Sequence, residues 1–305
     1  MIFTVTFNPA LDYTLWAGGA EPGRIHHAEA ASYTAGGKGV NVANVLTCLG
    51  VPCTALGFIA GFTGDEIARQ ARSWGIDTDF IRLPRGLSRV NVKVRTWRGE
   101  GGAVEETDFN AGGPDIDRGS MEKLYDKLSG IGQGDVLIVA GGAPASLSGG
   151  VYGELLGSVA GKGARCVVDA AGDLLRGALA RAPFLIKPNV DELGELFGRK
   201  LRSDEEIREC AERLQDEGAV NVLVSKGGEG AALLTETGEF ITVEAPSGRA
   251  VNTVGAGDSM VAGFVAGWIK RGDYRKALKW GTAAGAATAF SEGLATKGDI
   301  LALLE

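Results

Sequence analysis

The chain of 305 residues is short of the groups on which metal and nucleophile chemistry depends. It has two histidines, His26 and His27, and four cysteines. Cys48, Cys53, Cys166 and Cys210 include no CxxC spacing, and the one close pair is five residues apart. Structural zinc needs nitrogen and sulfur ligands at set spacings, and a serine triad needs a histidine; both classes are set aside. The thiols read as reduced core residues of a cytoplasmic protein. Positive charge is also scarce. With 31 Lys and Arg against 38 Asp and Glu, the formal charge is −7, which argues against a nucleic-acid partner. Any anionic substrate must then be held by a local cluster of cations against the global field. No apolar run is long enough to span a bilayer. Met1 to Phe7 lacks the basic start of a signal peptide and reads as a strand, so no membrane partner is expected.

Glycine is abundant, 48 residues spread along the chain. Two glycine turns stand out. Val254-Gly255-Ala256-Gly257-Asp258 precedes the apolar run Met260 to Ile269, which reads as a buried helix. Ala35-Gly36-Gly37-Lys38-Gly39 opens a second helix, Val40 to Leu49. A helix N-terminus offers free N–H groups and a positive dipole end, both suited to anions. Asp258 is either a plain helix cap or a reacting carboxylate. Its place beside the helix N-terminus predicts that it stays ionised at neutral pH.

Strand and helix patterns alternate along the chain. Strands are expected at residues 2–7, 53–60, 79–83, 136–140, 166–169, 184–186 and 220–225, with a hairpin at 231–245. Helices are expected between them and at 256–271 and 273–290. Thr63…Glu66 and Ser203…Glu206 have the capping-box form. Several strands are continuous apolar runs, which predicts an α/β fold: a three-layer, doubly wound, mostly parallel sheet covered on both faces. Between Arg89 and Arg95, Val90, Val92 and Val94 alternate with polar residues. This is a half-buried strand, paired with residues 104–110 across the loop Arg98 to Gly102. Its basic face, Lys93 and Arg95, reads as solvated. Together with parts of residues 11–34 this hairpin forms a separate small sheet. The whole chain, 1–305, reads as one domain carrying a β lid at roughly 11–34 and 88–110.

In such a sheet ligands bind at the carboxyl ends of the strands. The polar and glycine-rich punctuation falls there: Asn8 to Asp12, Gly141-Gly142, Lys187 to Asn189, Ser225 to Gly228 and Val254 to Asp258. No P-loop pattern occurs, and Met260 stands where the dinucleotide fingerprint needs its third glycine.

Four segments, Asn8-Pro9-Ala10-Leu11-Asp12, Gly36 to Ala43, Lys187-Pro188-Asn189-x-x-Glu192 and Thr253 to Ser259, resemble the PfkB (ribokinase-like) carbohydrate kinases in order and spacing over the whole chain. Their forms are similar to the 1-phosphofructokinase and tagatose-6-phosphate kinase branches. The resemblance implies ATP-dependent phosphorylation of a ketohexose phosphate, fructose 1-phosphate first; the alternatives are tagatose 6-phosphate, fructose 6-phosphate, or a non-catalytic binder of sugar phosphate or nucleotide. It implies Asp258 as the base, with the amides of Gly255, Ala256, Gly257 and Asp258 as an anion hole. Asp12 and Asn41 would hold sugar hydroxyls, with Gly36 and Gly37 letting the sugar lie against the backbone. Lys38, Arg89 and Arg24 would cradle the substrate's phosphate. Lys187, Asn189, Ser225, Gly227, Gly228, Gly230 and Thr253 would contact ATP. Mg²⁺ would sit near Glu192 and Asn189, through water, and two copies would pair as a homodimer through the lid. Asn252 departs from the family, where Asp is common, and puts an ion contact at that turn in doubt.

Overall fold

The computed structural model describes residues 1–21, 23–97 and 104–304; the expected loop Arg98 to Gly102 lies outside them. The elements in order are β1 (Ile2–Thr6), β2 (Ala10–Ala17), β3 (Ala30–Gly36), α1 (Lys38–Cys48), β4 (Thr54–Ile59), α2 (Gly61–Ser73), β5 (Asp77–Thr78), β6 (Ile81–Arg82), β7 (Arg89–Thr96), β8 (Glu105–Asn110), α3 (Arg118–Leu128) and β9 (Val136–Ala140). There follow α4 (Val151–Val159), β10 (Arg165–Asp169), α5 (Gly172–Leu179), β11 (Leu185–Ile186), α6 (Val190–Leu196), α7 (Asp204–Asp216), β12 (Val222–Ser225), β13 (Ala231–Leu234), β14 (Phe240–Val243), α8 (Ala256–Arg271), α9 (Tyr274–Ala289) and α10 (Lys297–Ala302).

The main sheet runs β14-β13-β12-β11-β10-β9-β1-β4-β5, with β6 also on β4. It is parallel from β12 to β5 and antiparallel at the β12–β13–β14 edge. Buried faces on both sides explain the unbroken apolar strands. In β9, Leu137 and Val139 enter a core shared with α3, α4, α5 and α7, while Val136 and Ile138 enter the core under α1, α8 and α9. The chain leaves β1 toward β4 on one side, and β9 joins β1 on the other. This reversal of strand order opens a crevice at the carboxyl ends.

The second sheet, β3-β2-β7-β8, stands apart. Its register puts Thr34, Asp12, Asn91 and Asn110 in one row, and Ser32, Thr14, Lys93 and Asp108 in another on the same face. The opposite face carries the row Tyr33, Tyr13, Val92 and Phe109.

Three local expectations are corrected. Thr63 does not cap α2: the N-cap is Ala60, and the Thr63 hydroxyl donates to the Ser88 carbonyl at 2.8 Å. Glu66 turns to Arg69 and Gln70 instead. Ser203 caps α7, but Glu206 closes back on the Arg202 N–H, so only half the box forms. A further helix, α10, follows the box Thr296…Asp299; it is too short for periodicity to reveal. No helix among the described residues is long and apolar enough to cross a membrane.

Candidate active site

At the crevice the ends of β1, β10, β11 and β12 meet the first turns of α1 and α8. They enclose a cavity of about 460 Å³ lined by Asp12, Gly37, Lys38, Asn41, Arg89, Lys187, Asn189, Glu192, Ser225, Gly255, Gly257 and Asp258. The small sheet roofs it with Asn91, Lys93, Asp108 and Asn110. An adjoining cavity of about 610 Å³ shares Asn189 and Ser225 and adds Gly227, Lys226 and Arg202.

Both helices present open N-termini to the cavity. The N-caps are Gly37 for α1 and Gly255 for α8, and neither receives a side-chain cap. Gly255 holds φ 81°, a left-handed value that any Cβ would strain. Asp258, inside the first turn, is therefore not the cap, and its carboxylate is free for other work. Ala256 is the exception in the expected anion hole: its N–H donates to the Thr253 carbonyl at 3.2 Å. The open donors are those of Gly255, Gly257 and Asp258.

Asp258 is 5% exposed and accepts a hydrogen bond from Asn41 Nδ2 at 2.8 Å. Burial pushes its carboxyl up to about 6, the nearby Asp169 adds to the rise, and Asn41, Lys38 and Lys187 oppose it. Asp258 is still mostly ionised at neutral pH, although desolvation outweighs the dipole and raises its proton affinity. Asp169, at the end of β10, is the residue that sequence reading missed. Its Oδ1 accepts from Lys38 Nζ at 3.1 Å and lies 3.3 Å from Lys187 Nζ. Burial alone would raise the Asp169 carboxyl; the two lysines overcome it and hold it low. Burial would likewise lower Lys38, but Asp169, Asp258 and Glu192 reverse the sign and raise it. Lys38 of the expected phosphate cradle and Lys187 of the expected nucleotide contacts therefore already share a carboxylate. The rule that placed Gly141 and Lys187 at strand ends would also have found Asp169.

Asp12 is held by Asn91, whose Nδ2 donates to Asp12 Oδ1 at 2.7 Å. The bare Cα of Gly36 lies against the Asp12 carboxylate, and that of Gly37 faces Pro9 and Thr6. Both glycines make room for the chain itself, and Gly37 also lines the cavity. Arg89 starts β7 and donates through Nε to the Asn8 carbonyl at 3.0 Å. Lys93 and Arg95 are half-buried and ion-paired: Lys93 Nζ reaches Asp108 at 3.0 Å and Arg95 Nε reaches Glu106 at 2.6 Å. Alternation along β7 places Asn91 and Lys93 on one polar face, which is the signal that could have put them in the site.

Other expected residues fall elsewhere. Arg24 is on an exposed loop, its side chain 73% exposed and paired with Glu21. Gly228, Gly230 and Thr253 line neither cavity; a Cβ on Gly230 would strike the Val243 carbonyl, so that glycine serves the hairpin. Asn189 Oδ1 is taken by the Glu192 N–H and Glu192 Oε2 by the Asn189 N–H, both at 2.8 Å. This capping box uses one lone pair of Asn189 Oδ1 and one of Glu192 Oε2, and leaves Glu192 Oε1 without a partner among these bonds. Among the described residues no group of three His, Cys, Asp or Glu is placed to hold a metal. That donor set fits a hydrated Mg²⁺ carried mainly by substrate phosphates, not a protein cage. Asn252 donates to the Glu292 carbonyl at 2.8 Å and accepts from the Val254 N–H at 3.0 Å; Asp could not make the first bond.

The model of the pfkB family carbohydrate kinases matches residues 6–300. The chain is 37% identical to 1-phosphofructokinase of Bacillus subtilis over 304 residues, covering 100% of this chain and 97% of that one. It is 35% identical to D-tagatose-1-phosphate kinase of Bacillus licheniformis over 295 residues, 96% of this chain and 94% of the other. The crystal structure of a candidate phosphofructokinase from Staphylococcus aureus superimposes with TM-score 0.87 at 39% identity, covering 100% of this chain and 96% of that chain.

Proposed function

The chain belongs to the pfkB family of carbohydrate kinases, and from that premise we propose that it transfers the γ-phosphoryl group of ATP to the free terminal hydroxyl of fructose 1-phosphate, forming fructose 1,6-bisphosphate. The observation that carries the reading is a buried, uncapped carboxylate, Asp258, in the turn whose open amides face two lysines across one cavity. Asp258 accepts the hydroxyl proton as the new P–O bond forms. The N–H groups of Gly255, Gly257 and Asp258 stabilise charge on the transferring group, and Lys38 and Lys187 add positive charge at its oxygens. Asp12, fixed by Asn91, and Asn41 hold the sugar hydroxyls. Arg89 takes the substrate's own phosphate. ATP runs from Lys187 over Asn189 and Ser225 toward Gly227. Mg²⁺, when bound, neutralises the nucleotide phosphates, and Glu192 holds it through water.

A second reading, tagatose 1-phosphate, is favoured by the likeness to the Bacillus licheniformis kinase; the two sugars differ only in configuration at C4. Two copies pair through the small sheet, whose outer face exposes Tyr33 and Phe109. The test is a coupled assay with ATP, Mg²⁺ and a panel of sugar phosphates. Fructose 1-phosphate is expected to give the highest kcat/KM. A higher value for tagatose 1-phosphate, tagatose 6-phosphate or fructose 6-phosphate reassigns the substrate. Absence of ADP release with every sugar phosphate overturns the kinase reading in favour of a binding protein.

A further inference from the structure

Asp169 is 1% exposed and lines the cavity. One oxygen, Oδ1, serves both lysines, while Oδ2 is buried without a hydrogen-bond partner. Lys38 opens α1 and Lys187 follows β11, so the two ammonium groups arrive from separate elements and meet only at this carboxylate. Unscreened, they would repel each other. Lys187 also sits against the turn that bears Asp258: a Cβ on Gly257 would be 3.3 Å from its Nζ. Buried charges persist when they are paired, and here one anion accounts for two cations.

Resting on the kinase reading, we propose that Asp169 is a positioning residue of the phosphoryl-transfer site: it gathers Lys38 and Lys187 against the Gly255–Asp258 turn and cancels one of their two charges. The phosphoryl group then meets a fixed ammonium pair whose net charge, with Asp169, is +1. A free pair of +2 would grip the departing phosphates too tightly and leave Asp258 a weaker base.

The groups facing Asp258 are Asp169 from β10, Lys38 and Asn41 from α1, and Lys187 from the end of β11; Glu192 of α6 acts on Lys38. Asp169 raises the proton affinity of Asp258 and the lysines lower it. Two substitutions should therefore move the acid limb of the kcat/KM–pH profile in opposite directions. Asp169→Asn, close in shape, is expected to shift it down by about one unit. It should also lower kcat at least about ten-fold, because both lysines lose their anchor. Lys187→Gln is expected to shift the limb up by about one unit. Profiles are measured with ATP, Mg²⁺ and fructose 1-phosphate, and folding is checked by circular dichroism. A wild type that turns over no sugar phosphate overturns the kinase reading and this role with it. A wild type that turns over, with limbs that stay put or move in the same direction in the two variants, overturns the role of Asp169 alone. If Asp169→Asn does not fold, Asp169→Glu decides, since it keeps the charge and moves its position: a kcat lowered about ten-fold with the limb within about half a unit of wild type supports the role, and an unchanged kcat refutes it.

Discussion

A carboxyl group pushed up to about 6 works close to the edge of its range. At pH 7 Asp258 is about nine-tenths ionised, and its proton affinity is higher than that of an exposed aspartate, which makes it the better base. Below pH 6 it protonates, and on the proposed role as base turnover is expected to fall. Asp258→Asn should keep sugar-phosphate binding, measured by calorimetry, and lose kcat by about 10²–10⁴-fold. Near-normal turnover would remove Asp258 as the base. The same substitution bears on stability. A carboxylate whose folded pKa lies above its unfolded one costs stability as pH rises from the unfolded value, 3.8, through about 6. Asp258→Asn should therefore be more stable than wild type by about 2–3 kcal/mol at pH 7–8, with the gap closing below pH 4. Urea unfolding at the two pH values checks it, and a gap that persists at low pH would point to packing instead. At this scale the sequence marked Asp258, Asp12, Asn41, Lys38, Arg89 and Lys187 for the cavity. It could not mark Asp169 as their counter-charge, since the burial that makes it matter arises from segments far apart in the chain.

The first turns of α1 and α8 are left open where α3, α6, α7, α9 and α10 are closed by Asp117, Asn189, Ser203, Asp273 and Thr296. Open donors at the cavity are available to an anion and a capped N-terminus is the more stable form, although α2, α4 and α5, away from the cavity, also lack a side-chain cap. Gly257→Ala separates these demands. Alanine favours a helix over glycine by up to about 1 kcal/mol, yet its Cβ would stand 3.3 Å from Lys187 Nζ. The variant is expected to melt no lower than wild type while kcat falls about ten-fold or more, because a small misplacement at the reacting centre is costly. A full kcat would show that Lys187 has no task in transfer. Elements were legible where periodicity runs long, as in α8 and the buried strands. Thr63…Glu66 misled because a short pattern matches by chance, and Thr63 found the Ser88 carbonyl instead.

Across the whole molecule, the small sheet has a polar face on the cavity and an apolar face that is covered by Ile67 of α2 near Leu11, Ala35 and Val90 and exposed at Tyr33 and Phe109. An apolar patch left exposed beyond the helix that covers the rest of the face is a candidate contact for another copy. Tyr33, 49% exposed, and Phe109, 61% exposed, lie in one row of that face. On the proposed pairing, replacing both with Asp should convert the dimer to a monomer in analytical ultracentrifugation and raise KM for the sugar phosphate, because the roof over Asp12 and Arg89 loses its support. An unchanged sedimentation coefficient would place the interface elsewhere.

The order of strands and helices, the two glycine turns and the family were all carried by the sequence itself, because they depend on local periodicity and on residues close together in the chain. Which charges neutralise one another was decided only by the tertiary structure. Lys38 and Lys187 share Asp169, Lys93 pairs with Asp108, and Asn91 fixes Asp12. Proton affinity and ion pairing depend on burial and on distance through space, and these exist only once β1, β7, β10, α1 and α8 converge.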